Sequence, residues 1–566
     1  MKRIFIKIMS LALIASSVSC SDILDKGPLD SFTENDVWSS PDMVQAFLYP
    51  PLNYATGRLI YEDKWTDNDI IQDDGTASSI NREQIDRYHD AGWNIYGDIR
   101  KCNLAIRKLS ENTVFSENDR TNLIAQAKML RAMIYFSSAR LFGKVMLVDR
   151  VIDPSEDMRF PRTETVKDTY DFIIRDLQEA APDLPVSAET GMLTQGAAYA
   201  LLAEVALHGA AYIEEGQDEY YEIAKTASET LFALGQYSLD TDYEALFNDY
   251  DHAMSSPEII LAQWKHENNT TFSGTWMQYL VPNMSNAKMQ AFAHPQLNDN
   301  FEGWPAMFPS VDLVNDYEVI DEDGTAKDWD ETSYYQDYLA NGGYVSDAIY
   351  KNRDSRFYAT VVHDSTMYFN SLITLRDRGN MHWNSITNGG WGPSLSGYLW
   401  RKGVYTKQIL YHSYPTNYHY ILLRLGRSYL NYAEVMLRLG DVQTAIEYIN
   451  KTRTEHGGLP ELSAGMSLED AWKAYKRERR VELVHEGDRY WCLLRWGKAD
   501  GKAVVDELTK VHQSISISED GKSFEFVAIP YQEAFNERVF TSKRYLFPVP
   551  ENERINNPSL DQNEGW

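Results

Sequence analysis

The sequence predicts a mainly α-helical fold, made of tetratricopeptide-like helix pairs and interrupted by a large, irregular, loop-rich insertion. From about residue 40 to 260, apolar residues recur with helical spacing in most segments. Between about 261 and 420 this period fades, and Gly, Asn, Asp, Trp and Tyr accumulate. Helical spacing returns in the region 421–566. We therefore expect a helical scaffold in two parts, with the insertion between them.

The N-terminus has the pattern of an export signal. Basic residues precede a short apolar run over 9–15, and small residues then lead to Cys20. The apolar run is too short to cross a bilayer. The pattern resembles a bacterial lipobox, which predicts a signal peptide over 1–19 and a lipid on Cys20. A plain signal peptide with an incidental cysteine is the alternative. Residues 20–39 are predicted to form a lipid-anchored, extended tether.

The first predicted helix of the scaffold begins at Pro41, with Ser40 as its cap. Four further segments of the region 40–260 have clear helical periodicity. They cover residues 123–142, 165–181, 194–213 and 220–234.

The sharpest helix pair lies near the other end of the chain, over residues 431–450. Gly440 ends one predicted helix, Asp441 caps the next, and Ala433 faces Ala445 across the turn. This pattern resembles a tetratricopeptide helix pair, and residues 216–224 show a weaker version of it.

Composition excludes one class of partner. The chain has a formal net charge of −29, which becomes −32 without residues 1–19 (51 Lys and Arg against 83 Asp and Glu). Because binding to phosphate backbones depends on Lys and Arg, we expect no nucleic acid as partner. After Cys20 no apolar run has the length of a transmembrane helix. Cys102 and Cys492 lie in helix-like segments, where they either pair or remain buried free thiols.

Several segments together resemble one known family, the SusD/RagB outer-membrane lipoproteins of Bacteroidetes. The lipobox is followed by a helix with Trp93, Tyr96, Ile99 and Asn103, which is similar to a family helix. The other similar segments are residues 127–143, 477–489, 494–497 and 547–566.

This resemblance implies a surface glycan-binding protein rather than an enzyme. Such proteins act with a SusC-like TonB-dependent transporter, capture an oligosaccharide or polysaccharide, and reach the outer membrane through the lipid anchor. Their helix pairs contact the transporter, and their irregular loops form most of the sugar site.

Aromatic residues beside Asn, Asp or Gly are the candidate glycan-binding residues. A flat ring stacks on the C–H face of a sugar, while neighbouring amides and carboxylates take its hydroxyls. For any single ring, packing in the core is the alternative. Trp93 and Trp391 are favoured because Gly and Asn lie near them. The candidates are Trp65 with Asp67 and Asn68, Trp93 with Asn94 and Tyr96, Trp276 with Tyr279, Trp304, and Trp383 with Trp391.

Motifs for catalysis are weak in this sequence. His485 and Glu486 could act as acid and base, but we favour a helix face in which Arg and Glu pair at i,i+3 and i,i+4. The chain has no Gly-x-Ser-x-Gly elbow. Two alternative functions stay open: a glycoside hydrolase on a helical scaffold, which any pair among 83 acids could serve, and an interaction platform without its own ligand.

Metal motifs are equally weak. His-Glu-x-x-His and paired Cys-x-x-Cys motifs are absent. Asp321, Asp323, Gly324 and Asp330 fit part of a calcium loop, but Val319 stands where the first ligand belongs. We therefore expect no cofactor, and a structural calcium ion remains unsupported.

Overall fold

The computed structural model describes residues 34–57, 63–72, 75–283, 302–382, 394–529 and 537–566. Helices dominate these ranges, as the sequence predicts. In chain order they are α1 Glu34–Val37, α2 Pro41–Gly57, α3 Gly75–Asn81, α4 Tyr96–Ser110, α5 Glu117–Phe142, α6 Val166–Ala180, α7 Gln195–Ala210, α8 Gln217–Ala233, α9 Tyr243–Asn248, α10 Tyr250–Ser255, α11 Val311–Asp316, α12 Ser333–Asn341, α13 Val345–Ile349, α14 Ser355–Thr360, α15 Leu425–Leu439, α16 Val442–Glu455, α17 Leu468–Glu482, α18 Arg489–Ala499 and α19 Glu551–Asn556.

The strands are short and form two-stranded antiparallel ribbons. They pair as β1 with β3, β2 with β10, β4 with β5, β6 with β9, β7 with β8, and β11 with β12. Their bounds are β1 Asp69–Ile71, β2 Ile259–Lys265, β3 Met307–Pro309, β4 Val319–Ile320, β5 Ala326–Lys327, β6 Val361–Val362, β7 Thr366–Tyr368, β8 Ser371–Ile373, β9 Leu399–Trp400, β10 Tyr418–Arg424, β11 Gln513–Ile517 and β12 Phe524–Ala528.

Local capping explains why the scaffold helices begin where they do. The Ser40 hydroxyl accepts a hydrogen bond from the Met43 N–H at 3.3 Å, and Pro41 opens α2. Thr165 forms a capping box with Asp168 at the start of α6. The Thr194 hydroxyl accepts from the Ala197 N–H at the start of α7. These caps confirm the predicted starts within one residue.

The predicted helix pair near the C-terminus is present. Gly440 ends α15 with φ +83°, a left-handed conformation that glycine adopts without strain. The Asp441 carboxylate then accepts from the Thr444 N–H at 3.1 Å and caps α16. Ala433 and Ala445 are fully buried, so the two helices pack closely. Helix α15 also packs on α8, which joins the two parts of the scaffold.

One antiparallel ribbon marks both ends of the insertion. Strand β2 leads into it and β10 leads out, and Ala262 lies opposite Ile421. The insertion is also tied to the N-terminal region, because β3 pairs with β1 and places Phe308 opposite Ile70. These ribbons fix the loops of the insertion against the scaffold.

A single large hydrophobic core runs through the scaffold and into the insertion. Cys102 and Cys492 are buried within it as free thiols, and burial raises the pKa of each to about 12. Among the helices of the described ranges, none combines the length and the apolar character needed to cross a bilayer.

Candidate functional site

Three chain segments of the insertion meet at one surface. The Trp304 N–H donates to the Gln278 carbonyl at 2.7 Å, and the Ala306 N–H donates to the Tyr279 carbonyl at 3.0 Å. The Glu302 N–H donates to the Leu410 carbonyl at 2.9 Å. These backbone hydrogen bonds hold the three segments next to one another.

A glycine permits this close approach. At Gly303, an added Cβ would lie 1.6 Å from the Val281 carbonyl oxygen, so a side chain there would collide with backbone. The next residue is Trp304, whose side chain is 55% exposed. Among the tryptophans of the described ranges, Trp304 alone is exposed. The sequence order Glu302-Gly303-Trp304 therefore places an open ring beside a carboxylate.

Two further rings and a cation complete this surface. The rings of Trp276 and Tyr279 are half-buried and meet edge to face, with centroids 5.4 Å apart. The Lys64 Nζ lies 5.2 Å from the Trp276 centroid and 5.1 Å from that of Tyr279. This cation–π contact stabilises the orientation of both rings. We call Lys64, Trp276, Tyr279 and Trp304 the aromatic surface.

Polar groups surround the open ring. His412 is exposed, and its ring lies 6.4 Å from that of Trp304. The Glu302 carboxylate accepts from the His412 N–H at 2.6 Å, which leaves its other oxygen for a ligand. An apolar face bordered by hydrogen-bonding groups is suited to an amphipathic ligand such as a sugar.

The structure places Trp93 in the core, which corrects its selection as a stacking residue. Its side chain is 4% exposed and packs edge to face on Phe142, with centroids 5.0 Å apart. The Asp90 carboxylate accepts from the N–H groups of Gly92 and Trp93, so the polar turn is satisfied internally. A glycan has no access to this ring.

The two residues predicted with Trp93 remain partly accessible. Asn94 is exposed, and its carbonyl accepts from the Tyr54 hydroxyl at 3.0 Å. Tyr96 is half-buried, and burial of its hydroxyl raises its pKa well above the usual value. Their role as sugar contacts stays a prediction.

Asp67 and Asn68 are also removed from the set of accessible candidates. Asp67 is fully buried and forms two 2.9 Å hydrogen bonds with the Arg489 guanidinium. Burial pulls its pKa upward, but Arg480 and Arg489 hold the pKa well below its usual range. Asn68 is equally buried and accepts from the Arg480 Nε at 2.9 Å. Both side chains hold the scaffold together.

Trp65, the ring predicted with them, packs against core aromatics. It meets Tyr490 edge to face at 5.1 Å and Phe547 at 5.6 Å. Trp383 and Trp391 lie outside the described residues, so their role stays a prediction. Of the predicted tryptophans, the described residues therefore bring Trp276 and Trp304 together at one surface.

Sequence reasoning missed Lys64, Glu302 and His412. The signal for Lys64 was its position next to a candidate ring, and that for Glu302 was the Gly-Trp pair that follows it. His412 is far from both in sequence and reaches them only through the fold.

The charged C-terminal helix forms pairs different from those expected. Arg480 binds Asp67, far along the chain, and Arg479 binds Asp488, nine positions on, instead of a glutamate at i,i+3 or i,i+4. Glu478 and Glu482 bind Arg356 at 2.5 Å and 2.8 Å. The reason is burial: α17 is covered by the insertion, so its charged residues need partners from other elements.

These residues belong to what we call the buried ion cluster, which consists of Glu258, Arg356, Arg424, His456, Glu478, Glu482 and Glu486. Arg424 is its centre and lies 2.7–2.8 Å from Glu258, Glu482 and Glu486. All its members are less than 5% exposed. Glu486 is thus an ion-pair partner, not an acid or base within reach of substrate.

The buried ion cluster also brings together three groups of the kind that bind metals, Glu258, His456 and Glu482. However, both ring nitrogens of His456 face carboxylates, Nδ1 to Glu482 at 2.7 Å and Nε2 to Glu258 at 3.2 Å. Burial lowers the pKa of His456, but these two carboxylates raise it to about 10. A doubly protonated imidazole has no lone pair for a metal, so the set fits an ion pair better.

The partial calcium loop holds a lysine. The Lys327 Nζ lies 2.5 Å from Asp321 and 2.7 Å from Asp323, and the Ser333 N–H donates to Asp321 at 2.9 Å. An ammonium thus lies between the carboxylates that would have to share a cation.

A family model described as the SusD family matches residues 257–566. A second model, described as starch-binding and associating with the outer membrane, matches residues 35–207. The two matches lie on either side of α9 and α10.

Full-length relatives are similar throughout. A SusD-like protein of Formosa agariphila is 24% identical over 87% of this chain and 92% of its own. A SusD-like protein of Bacteroides ovatus is 24% identical over 99% of this chain and 98% of its own.

Solved structures have the same fold. A SusD-like protein of Bacteroides fragilis aligns over 96% of this chain and 100% of its own, with a TM-score of 0.76 and 25% identity. A SusD-like carbohydrate-binding protein of the same species gives 0.71 over 93% and 99%, with 19% identity. A laminarin-binding SusD-like protein gives 0.62 over 92% and 99%, also with 19% identity.

Proposed function

The chain belongs to the SusD family, and from this premise we propose that it binds glycans at the outer surface of the cell. The observation that carries the proposal is the aromatic surface, where Trp304 offers an open ring beside the ordered pair of Trp276 and Tyr279. Two proteins of similar structure, one carbohydrate-binding and one laminarin-binding, support the same ligand class.

Binding would rest on stacking and hydrogen bonding. The Trp304 face takes the C–H face of one sugar, and Glu302 accepts from a hydroxyl. The rings of Trp276 and Tyr279 are held by Lys64, so little side-chain freedom is lost when a ligand arrives. The surface is open to water, which leaves polar contacts partly hydrated and the affinity modest.

In this proposal the protein captures glycans without cleaving them. Hydrolysis of a glycosidic bond uses a carboxylic acid whose pKa is raised and which touches the leaving oxygen. Asp63 has such a pKa, raised to about 7 by burial. Its carboxylate accepts from the Gly487 N–H and is 4% exposed, so a bound glycan would not reach it. This placement supports binding rather than turnover.

We propose further that Cys20 carries a lipid and that residues 20–39 tether the helical body to the outer membrane. A family model described as associating with the outer membrane supports this location. The partner would be a SusC-like TonB-dependent transporter, contacted by the helix pairs and supplied with the captured oligosaccharide.

The test is a calorimetric titration of the chain from Ser21 onward with soluble starch, laminarin, other neutral polysaccharides and an acidic polysaccharide. Trp304→Ala should weaken binding by about 2 kcal/mol, roughly 30-fold in Kd, because it removes the stacking face. Tyr88→Ala is the matched control, since Tyr88 is exposed but lies elsewhere. Absence of heat with every glycan, or equal binding by both variants, would overturn the proposal.

A separate assay tests capture against cleavage. We expect no new reducing ends when the protein is incubated with the glycan that it binds. The appearance of reducing ends would instead identify an enzyme.

A further inference from the structure

A second concavity lies on the scaffold, apart from the aromatic surface. It is bounded by α2, the loop over 190–192 and strand β2, and its volume is about 570 Å³. This size is within the roughly 300–1,000 Å³ of small-molecule sites. Gln45, Tyr49 and Asn53 recur every four residues on α2 and therefore line one wall together. We call this concavity the α2 cleft.

An ordered indole forms the opposite wall. Trp264, at the end of β2, stacks on His419 with centroids 5.2 Å apart and an interplanar angle of 20°. Tyr250 meets it edge to face at 5.5 Å. Gly191, at φ +89°, lies so close that an added Cβ would be 3.2 Å from the Trp264 ring. Packing on three sides fixes the ring, whose remaining surface lines the cleft.

The other ring of the α2 cleft is open. Tyr49 is 63% exposed, although α2 buries its opposite face through Val44 and Leu48. A tyrosine ring offers an apolar face and a polar hydroxyl, which suits an amphipathic ligand. Two aromatic walls across a cleft of this volume suit a flat, partly apolar ligand.

Side-chain amides that make few hydrogen bonds within the described residues give the cleft its polarity. Within the described residues, the side chains of Gln45 and Asn53 make no hydrogen bond, and the Gln263 amide reaches only the Thr56 hydroxyl, at 3.5 Å. Amides both donate and accept, as sugar hydroxyls do. Asp42 is the one acidic residue, and there is no basic one, among the described residues of the lining. The chemistry favours a neutral ligand.

From these observations we propose that the α2 cleft is a second carbohydrate site, which binds neutral sugars of a polysaccharide already held at the aromatic surface. The proposal rests on the glycan-binding function proposed above. The two sites lie on connected segments, because Lys265, next to Trp264, donates to the Gly274 carbonyl at 2.9 Å, two residues before Trp276. One chain bound at both sites gains affinity through high effective concentration.

This arrangement predicts a difference between long and short ligands. Tyr49→Ala and Ala46→Trp, which respectively remove a wall and fill the cleft, should each weaken binding of a neutral polysaccharide by about tenfold. Binding of the trisaccharide with the same linkage should change less than twofold, because it occupies the aromatic surface alone. Trp304→Ala should weaken both ligands.

The experiment compares the native chain, these three variants and the control Tyr88→Ala by calorimetry. The probes are soluble starch with maltotriose and laminarin with laminaritriose, followed by other neutral polysaccharides with their trisaccharides. Thermal unfolding verifies that each variant is folded, which the exposure of Tyr49 and Ala46 favours.

Each outcome has one meaning. Selective loss of polysaccharide binding in both cleft variants supports the inference. Native affinity in both cleft variants overturns the inference and leaves the proposed function intact. Equal loss of affinity for long and short ligands also overturns the inference alone, since the cleft would then not be a second site. Failure of the native chain to bind any probe overturns the proposed function and this inference together.

Discussion

The buried ion cluster and the aromatic surface contain the polar and aromatic residues that a binding site needs, yet they serve opposite purposes. In the buried ion cluster every carboxylate faces a cation of the same chain, as Glu482 does with Arg356, Arg424 and His456. At the aromatic surface Trp304 has an open face. The comparison teaches that charged groups buried against each other serve the fold, whereas a ring that stays exposed can serve a ligand.

The largest expected effect concerns the centre of the buried ion cluster. Arg424→Met leaves Glu258, Glu482 and Glu486 short of a partner in a site without water access. Breaking a buried ion pair from one side costs about 3–5 kcal/mol, and the loss of three contacts places this variant at the upper end. Chemical denaturation measures the free energy of unfolding.

The control for that variant is Lys407→Met. The Lys407 side chain is 86% exposed and pairs with Asp249 at 3.3 Å, so its removal should change stability by less than about 0.5 kcal/mol. Equal stability of the Arg424 and Lys407 variants would show that the buried pairs contribute little.

A second prediction separates two tryptophans that look alike in sequence. Trp93→Ala should lower the free energy of unfolding by about 3–5 kcal/mol, because it opens a cavity next to Phe142. Trp304→Ala should leave unfolding within about 0.5 kcal/mol of native while weakening glycan binding. The measurement pairs denaturation with calorimetry. Glycan affinity that falls in a folded Trp93 variant as much as in the Trp304 variant would contradict the assignment.

A third prediction uses pH. The pKa of His456 is raised from 6.5 to about 10 in the folded state by Glu482 and Glu258. Its stabilisation is therefore complete below about pH 6.5 and is lost as pH rises toward 10, with a slope of at most about 1.4 kcal/mol per pH unit.

The check is denaturation at pH 7, 8 and 9 for the native chain and for His456→Gln. The native chain should lose more stability than the variant over this range, because the variant has no proton to release at this position. Parallel curves would argue that His456 is neutral in the fold.

The smallest effect is expected from Lys64→Met. The cation lies just over 5 Å from both ring centroids, a contact of about 0.5–1 kcal/mol at an exposed site. Glycan affinity should fall about two- to fivefold, with Lys101→Met, on α4, as the control. An unchanged glycan affinity in Lys64→Met would show that Lys64 does not contribute to binding at the aromatic surface.

Features that depend on contacts between residues close in sequence were predicted correctly. Gly440 and Asp441 end and begin helices through hydrogen bonds to residues three or four positions away, so the helix pair was readable from the sequence. The family resemblance identified the fold for the same reason, through short segments. Trp276, Tyr279 and Trp304 were selected by residue type, and backbone hydrogen bonds from Trp304 to Gln278 and from Ala306 to Tyr279 join their two segments.

The mistaken candidates depended on distant partners. Asp67 binds Arg489, which is 422 positions away in sequence, and Asn68 binds Arg480, which is 412 positions away. No local pattern around Asp67 reveals that two guanidinium groups will cover it. Trp93 failed differently, since a polar turn next to a ring is compatible with either an inward or an outward side chain.

The β2–β10 ribbon has a consequence for how such proteins diversify. Its strands are neighbours in an antiparallel pair about 5 Å apart, so the chain enters and leaves the insertion side by side, with Ala262 opposite Ile421. In geometric terms the insertion is an exchangeable cassette that a related protein could replace to acquire a different specificity.

The need to neutralise buried carboxylates restricts that exchange. Arg356 and Lys402 belong to the insertion, whereas Glu478 and Glu486, which they neutralise, belong to the scaffold. A foreign cassette without two equivalent cations would leave buried carboxylates unpaired. The geometry of the ribbon therefore allows an insertion to be exchanged between relatives. The exchanged protein folds stably only if the new insertion supplies the cations that the buried carboxylates need.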